Sequence, residues 1–266
     1  MKIAICFFSY EKDAALLWQA LRGVKLLQGK YPEDVIDAYV YDDAAAPMGR
    51  DAVPECVHYA LTDFDRKGNL NGLECVLGQL SVYAGLAAEG YEWVIKADSD
   101  TYINSLEWLR EVDAEHVAHV GTCYREDYGS GSCYALSAAG IAALGVRLAE
   151  ESVQRRVARA LNEDKVFCRL SRMTGLGVDC RHNGKNEINE RLLYQDWMTE
   201  RVAIESLTGA AAVAFKRCVW HVGSEAWEDD RVFAEQRMKE YADYVEASAC
   251  GADASENLLN QTNEIP

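Results

Sequence analysis

The stretch Trp93-Val94-Ile95-Lys96-Ala97-Asp98-Ser99-Asp100-Thr101-Tyr102 decides how this 266-residue chain is read. Its first five residues, apolar but for Lys96, are a β-former run, and an acidic triplet follows without a break. Were the backbone to continue extended, Asp98 and Asp100 would project from the same side. Two carboxylates on one side repel unless a cation lies between them, and hard cations such as Mn²⁺ or Mg²⁺ take carboxylate and diphosphate oxygens. The cation would neutralise charge that develops on a departing nucleoside diphosphate. Asp and Ser are also ordinary turn residues, so the triplet has a plain reading as a turn.

Working back toward the N-terminus, residues 3–8 form an apolar run, Glu11 to about Gln28 has helical spacing, and Val35 to Tyr41 is a second β-rich run ended by Asp42-Asp43. A loop bearing Pro47 and Gly49 follows, then a third run from Glu55 to Leu61 and the polar stretch Thr62 to Asn71. Gly72 to Glu89 reads as a buried helix, stopped by Gly90 in the left-handed conformation glycine favours. The triplet therefore ends the fourth strand of an alternating β-α series. Such a series predicts a largely parallel sheet with helices on both faces and ligands at the carboxyl ends of the strands. Beyond the triplet the pattern predicts a helix over Ser105–Val112 and strands over Val117–Cys123 and Ser132–Leu136. It also predicts helices over Ala138–Leu161, broken near Gly145, and over Asn162–Met173, a strand within Ala211–Val222, and an amphipathic helix over Ala226–Ala247. Residues 248–266 are small, polar and acidic, and read as a disordered tail.

Composition bounds the partners. The formal net charge is −16, from 27 basic and 43 acidic residues, and it opposes nucleic acid and anionic membrane surfaces. No uninterrupted apolar run reaches the roughly 18 residues a membrane-spanning helix needs, and the apolar start is cut short by Tyr10-Glu11-Lys12-Asp13. The nine cysteines are scattered singly with no CxxC pair, which fits buried free thiols in a reducing cytoplasm. A zinc site built from distant cysteines is the alternative.

Near the other end, Cys218-Val219-Trp220-His221-Val222-Gly223-Ser224 sets a histidine in an apolar run. It reads either as a hydrogen-bonded core residue or as a third metal ligand beside Asp98 and Asp100, imidazole being a common ligand for ions of this kind.

Three segments in order resemble the GT-A glycosyltransferases, locally the Fringe and β-1,3-galactosyltransferase-like branch. They are the strand with its triplet at 93–102, the glycine-rich Gly129-Ser130-Gly131-Ser132-Cys133-Tyr134-Ala135-Leu136-Ser137, and the acidic Asn162-Glu163-Asp164-Lys165-Val166. The resemblance implies an α/β fold, a single domain with a mixed sheet flanked by helices, over residues 1–247. Residues 1–104 would be its nucleotide-sugar half and 105–247 its acceptor half. It implies Mn²⁺ or Mg²⁺ on Asp98, Asp100 and His221, a sugar subsite around Gly131 and Ser132, and Asp164 as the base of an inverting transfer. Asp164 also suits a helix start for dipole reasons alone.

The same analogy nominates Ser9, Tyr10, Asp42 and Asp43 for the nucleoside, and Lys67, Asn69 and Asn71 for the base, ribose or diphosphate. Each of these also reads as an ordinary solvated loop residue. Trp227 with Glu225, Glu228 and Asp229 is placed where a lid would close. The implied donor is a UDP-sugar, and the acceptor a saccharide, a lipid-linked sugar or a protein. Lys165 departs from the family pattern, which has an apolar residue there, and so does the want of a secretory anchor.

Two rivals share the fold. A nucleotidyltransferase or pyrophosphorylase would carry a glycine- and cation-rich loop after the first strand, where this chain has Ser9-Tyr10-Glu11-Lys12-Asp13. A non-catalytic carbohydrate- or nucleotide-binding protein is separated from the enzyme only by turnover.

Overall fold

The structure is a computed structural model that describes residues 1–64, 72–103, 105–125, 128–158, 163–180, 235–236, 238–240, 242–243 and 245–247. Among the described residues one seven-stranded sheet runs in the order β3-β2-β1-β4-β6-β5-β7. Its strands are β1 (Lys2–Ser9), β2 (Val35–Asp43), β3 (His58–Thr62), β4 (Trp93–Ala97), β5 (Val117–Arg125), β6 (Tyr128–Ser137) and β7 (Gly177–Cys180). The described helices are α1 (Ala14–Lys30), α2 (Gly72–Ala88), α3 (Glu107–Arg110), α4 (Ala138–Leu148), α5 (Glu151–Val157) and α6 (Glu163–Arg172).

The alternating series does build a parallel half. β1 pairs with β2 and β4, and β2 with β3, all parallel. The sheet is mixed as a whole, because β6 runs antiparallel to both β4 and β5 while β5 and β7 are parallel. It has helices on both faces, so the α/β class and the mixed, helix-flanked sheet are as expected. β1 is buried on both faces, which is why its apolar residues run on instead of alternating with polar ones. Ile3, Ile5 and Phe7 face the cluster of α1, which also takes in Met238 and Ala242. Ala4, Cys6 and Phe8 face α2, α4, α5 and α6. Burying side chains of this size stabilises by about 1.5–3 kcal/mol each for the larger ones.

Several bounds differ from expectation for local reasons. The first helix opens with a 3-10 turn at Glu11–Asp13, and β3 starts at His58, three residues later than its apolar pattern predicts. The break after α4 falls at Ala149–Glu150, with Gly145 inside the helix. The helix expected over 105–112 is the single turn α3, since Trp108 Nε1 and the Glu107 amide both hydrogen-bond Ser105 and bend the chain there. β7 had no counterpart in the sequence pattern. Gly90 holds φ 87°, as its position after α2 requires. The strand expected within 211–222 and the stretch 248–266 lie outside the described residues. The helix expected over 226–247 is seen in the described residues from 235 on, and Arg22 of α1 binds Asp243 at 2.7 Å and Glu246 at 2.8 Å there.

Of the described cysteines, Cys6, Cys75 and Cys168 are buried, Cys133 is half-buried and Cys56 is exposed, all as free thiols. No helix among the described residues is long and apolar enough to cross a membrane.

The tightest helix-to-sheet approach is at Gly140, the third residue of α4. A Cβ there would lie 2.4 Å from the Ala118 carbonyl oxygen and 2.6 Å from its Cα, both backbone atoms of β5 that cannot step aside. Gly140→Ala is expected to cost about 2 kcal/mol, read as a lower urea midpoint at unchanged slope. A variant as stable as the parent would show that α4 can lift from the sheet at no cost.

Candidate active site

The order β3-β2-β1-β4 places consecutive strands on either side of β1, which makes the β1–β4 junction the point where the strand order reverses and a crevice opens. Ser9 ends β1, and the acidic triplet follows β4 directly beside it. The two loops are joined across that junction, where Ser99 Oγ donates to Ser9 Oγ at 3.0 Å with both residues buried.

The triplet does not continue the strand. The Thr101 amide donates to the Asp98 carbonyl at 3.0 Å, which folds Asp98–Thr101 into a turn. Strand pairing stops at Ala97, bound in register to Phe7 on one side and Cys133 on the other, and beyond it local Asp and Ser turn chemistry takes over. Ser99 thus faces inward while Asp98 and Asp100 stay partly exposed, Asp98 with 38% of its side chain open. The same-side argument from an extended backbone is corrected to a turn flanked by two reachable carboxylates.

Beneath the turn lies a charge that the triplet motif does not include. Lys96 sits in the middle of a strand otherwise made of buried apolar residues, and its side chain is 5% exposed. Its ammonium binds Asp98 Oδ1 and lies 3.8 Å from Glu163 Oε1 on the first turn of α6. Burial alone would lower the Lys96 pKa, but Asp98, Glu163 and then Asp164 outweigh it and the ammonium is held above its ordinary range. One strand residue thereby ties the turn to the start of α6. Asp98 and Asp164, far apart in sequence, come into the electrostatic reach of a single cation. Asp164 is buried, and its Oδ1 accepts from the Lys165 amide at 2.7 Å. Cys133, opposite Ala97, is the thiol near this charge, and burial pushes its pKa up to about 12.

The residues nominated for the nucleoside are more deeply placed than a solvated loop would be. Asp42 is fully buried, its Oδ2 accepting from Tyr59 Oη at 2.7 Å and from the Gly49 amide at 3.2 Å, while its buried Oδ1 has no partner among the described residues. Ser9 is also fully buried and donates to Met48 Sδ at 3.6 Å. The loop at Met48–Gly49 therefore covers both, with Gly49 at φ 90°. Tyr10 is half-buried in extended backbone, and Asp43 caps its own loop by accepting from the Ala45 amide at 2.9 Å.

Gly131 and Ser132 belong to β6 where it runs on past the Ala97–Cys133 pair, so their backbone overhangs the triplet's end of β4. Lys67, Asn69, Asn71, His221 and the group Glu225, Trp227, Glu228 and Asp229 lie outside the described residues. No set of three His, Cys, Asp or Glu close enough to hold a metal occurs among the described residues. The pair Asp98 and Asp100 still suits Mg²⁺ or Mn²⁺, which are commonly held by one or two carboxylates, with water and substrate phosphates completing the shell.

The residues that sequence reasoning passed over are Lys96 and Glu163. Lys96 had a signal, a lone lysine inside an apolar strand, since an unpaired buried lysine is rare.

No family model matches the chain, and no curated protein does. Among solved structures it is similar to the galactosyltransferase LgtC in complex with donor and acceptor sugar analogs, at 14% identity over 91% of this chain and 95% of that one, with a TM-score of 0.48. An active-site mutant of LgtC gives 13% identity, the same coverage and a TM-score of 0.49. At such identity and overlap, a likeness says nothing about chemistry.

Proposed function

We propose that the chain is a divalent-metal-dependent glycosyltransferase of the GT-A type, in the Fringe and β-1,3-galactosyltransferase-like branch, that moves a sugar from a UDP-sugar to an acceptor hydroxyl. The observation that carries this reading is the Asp98–Thr101 turn at the β1–β4 junction, tied through Lys96 to the acids that open α6. Nucleotides bind at such junctions, and a diphosphate demands the cation that two adjacent carboxylates can hold.

In this reading Asp98 and Asp100 hold Mn²⁺ or Mg²⁺, with His221 as a further ligand. The ion supplies charge neutralisation for the leaving diphosphate. Asp164, on the first turn of α6, takes the proton of the acceptor hydroxyl as it attacks the anomeric carbon, which gives inversion. The overhanging backbone of β6 at Gly131 and Ser132 lines the sugar, Lys67 and Asn69 reach the diphosphate or base, and Ser9, Tyr10 and Asp42 border the nucleoside. Because the Met48–Gly49 loop closes over Ser9 and Asp42, that contact requires the loop to lift. Residues 1–247 act as one catalytic domain in the cytoplasm, on a saccharide, lipid-linked or protein acceptor.

Calorimetric titration with UDP tests the reading. Binding is expected in Mn²⁺ and is expected to be lost in EDTA, because cation and diphosphate occupy one site together. UDP binding that ignores the metal would reduce the triplet to a turn, and no nucleotide binding of any kind would favour a non-catalytic protein.

A further inference from the structure

We propose that Lys96 is the site's own counter-ion, standing on Asp98 where a divalent cation would bind and thereby making cation binding depend on the diphosphate; this rests on the metal-dependent reading above. The ammonium touches Asp98 Oδ1 and has Glu163 Oε1 at 3.8 Å on the other side. It is buried, so water screens it little. Its backbone is fixed by pairing to Cys6 of β1 and Tyr134 of β6, which leaves only the side chain able to choose between the two carboxylates.

An ammonium in that position opposes an incoming cation in two ways. It occupies a carboxylate oxygen that would be a ligand, and it repels a second positive charge at short range. A cation arriving alone must push Lys96 toward Glu163 and bear that repulsion. A cation arriving with a diphosphate brings negative charge that offsets it. Lys96 therefore biases the site against bare cation and toward the cation–diphosphate pair. In the absence of both it keeps Asp98 from repelling Glu163 and Asp164 across the junction of β4 and α6.

The experiment measures Mn²⁺ affinity directly, by paramagnetic resonance of the free ion, with and without UDP, on the full chain. Lys96→Gln is expected to bind Mn²⁺ alone about tenfold more tightly than wild type, and the gain in Mn²⁺ affinity on adding UDP is expected to shrink. Lys96→Arg keeps the charge and is expected to stay near wild type. A Lys96→Gln protein with wild-type circular dichroism whose Mn²⁺ affinity is unchanged or weaker would overturn the role. If that variant fails to fold, Glu163→Gln serves instead. It removes the carboxylate toward which the ammonium would yield and is expected to weaken Mn²⁺ binding several-fold, and unchanged affinity would overturn the role equally. Wild type that binds no Mn²⁺ even with UDP would remove the metal-dependent reading itself. UDP-coupled Mn²⁺ binding that is indifferent to Lys96 would remove only the present inference.

Discussion

Asp100→Ala is expected to lower kcat/KM for sugar release from a UDP-sugar in saturating Mn²⁺ by about a thousandfold, roughly 4 kcal/mol of transition-state stabilisation, with the fold intact. Asp100 is a cleaner probe than Asp98. Asp98 carries the Lys96 ammonium, so its removal would also leave a buried cation short of a partner and confuse chemistry with stability. Asp100 is partly exposed in the turn after the last paired residue of β4, outside the strand hydrogen bonds that hold the sheet. The thermal midpoint should therefore stay within about 2 °C of the parent, in keeping with a surface substitution. The measurement is initial rates over a series of Mn²⁺ concentrations beside a melting curve. Wild-type rates in the variant at all metal concentrations would show that the triplet is no ligand set. A partial loss regained at high Mn²⁺ would place Asp100 among the ligands without making it indispensable.

How much of this was legible in the sequence depends on whether the signal was local. β4 was readable to the residue, because a run of four apolar residues broken only by Lys96 and followed by Asp-Ser-Asp marks both the strand and its end. So was the left-handed stop at Gly90. The antiparallel course of β6 was not, since strand direction is set by which partner it meets and no residue of Tyr128–Ser137 announces that its neighbour is β4. β7, four residues long, forms only because β5 offers it an edge. The same division runs through the site. Asp98 and Asp100 stood out by spacing, while the turn that sets them apart is fixed by where strand pairing stops. That Lys96 reaches both Asp98 and Glu163 depends on packing α6 against β6, the neighbour of β4, a relation between segments more than sixty residues apart. Asp42 was found as the acid after the second strand, but its burial under Met48–Gly49 comes from loop closure, which no single residue type encodes.

Another group that no motif contains sets the second large expectation, a loss of stability in mild acid. His119 of β5 is buried, stacked on Tyr134 with ring centroids 5.4 Å apart, and its Nδ1 has no partner among the described residues. Burial, then the charge of Arg172, lowers its pKa from 6.5 to about 4, so the folded protein carries it neutral. Above pH 6.5 the ring is neutral in both folded and unfolded chains and contributes no pH dependence. As the pH falls from 6.5 toward 4 the unfolded chain takes up a proton that the folded one refuses, and the unfolded state gains accordingly. Below about 4 the folded ring protonates too and the loss stops growing, having reached about 3 kcal/mol. Denaturant unfolding of wild type and His119→Phe at a series of pH values isolates this contribution from that of the carboxylates, because the difference between the two proteins cancels what they share. The difference is expected to be flat above pH 7 and to move in favour of the variant by about 3 kcal/mol on going to pH 4. A flat difference over the whole range would mean that the imidazole finds solvent or a partner before it charges.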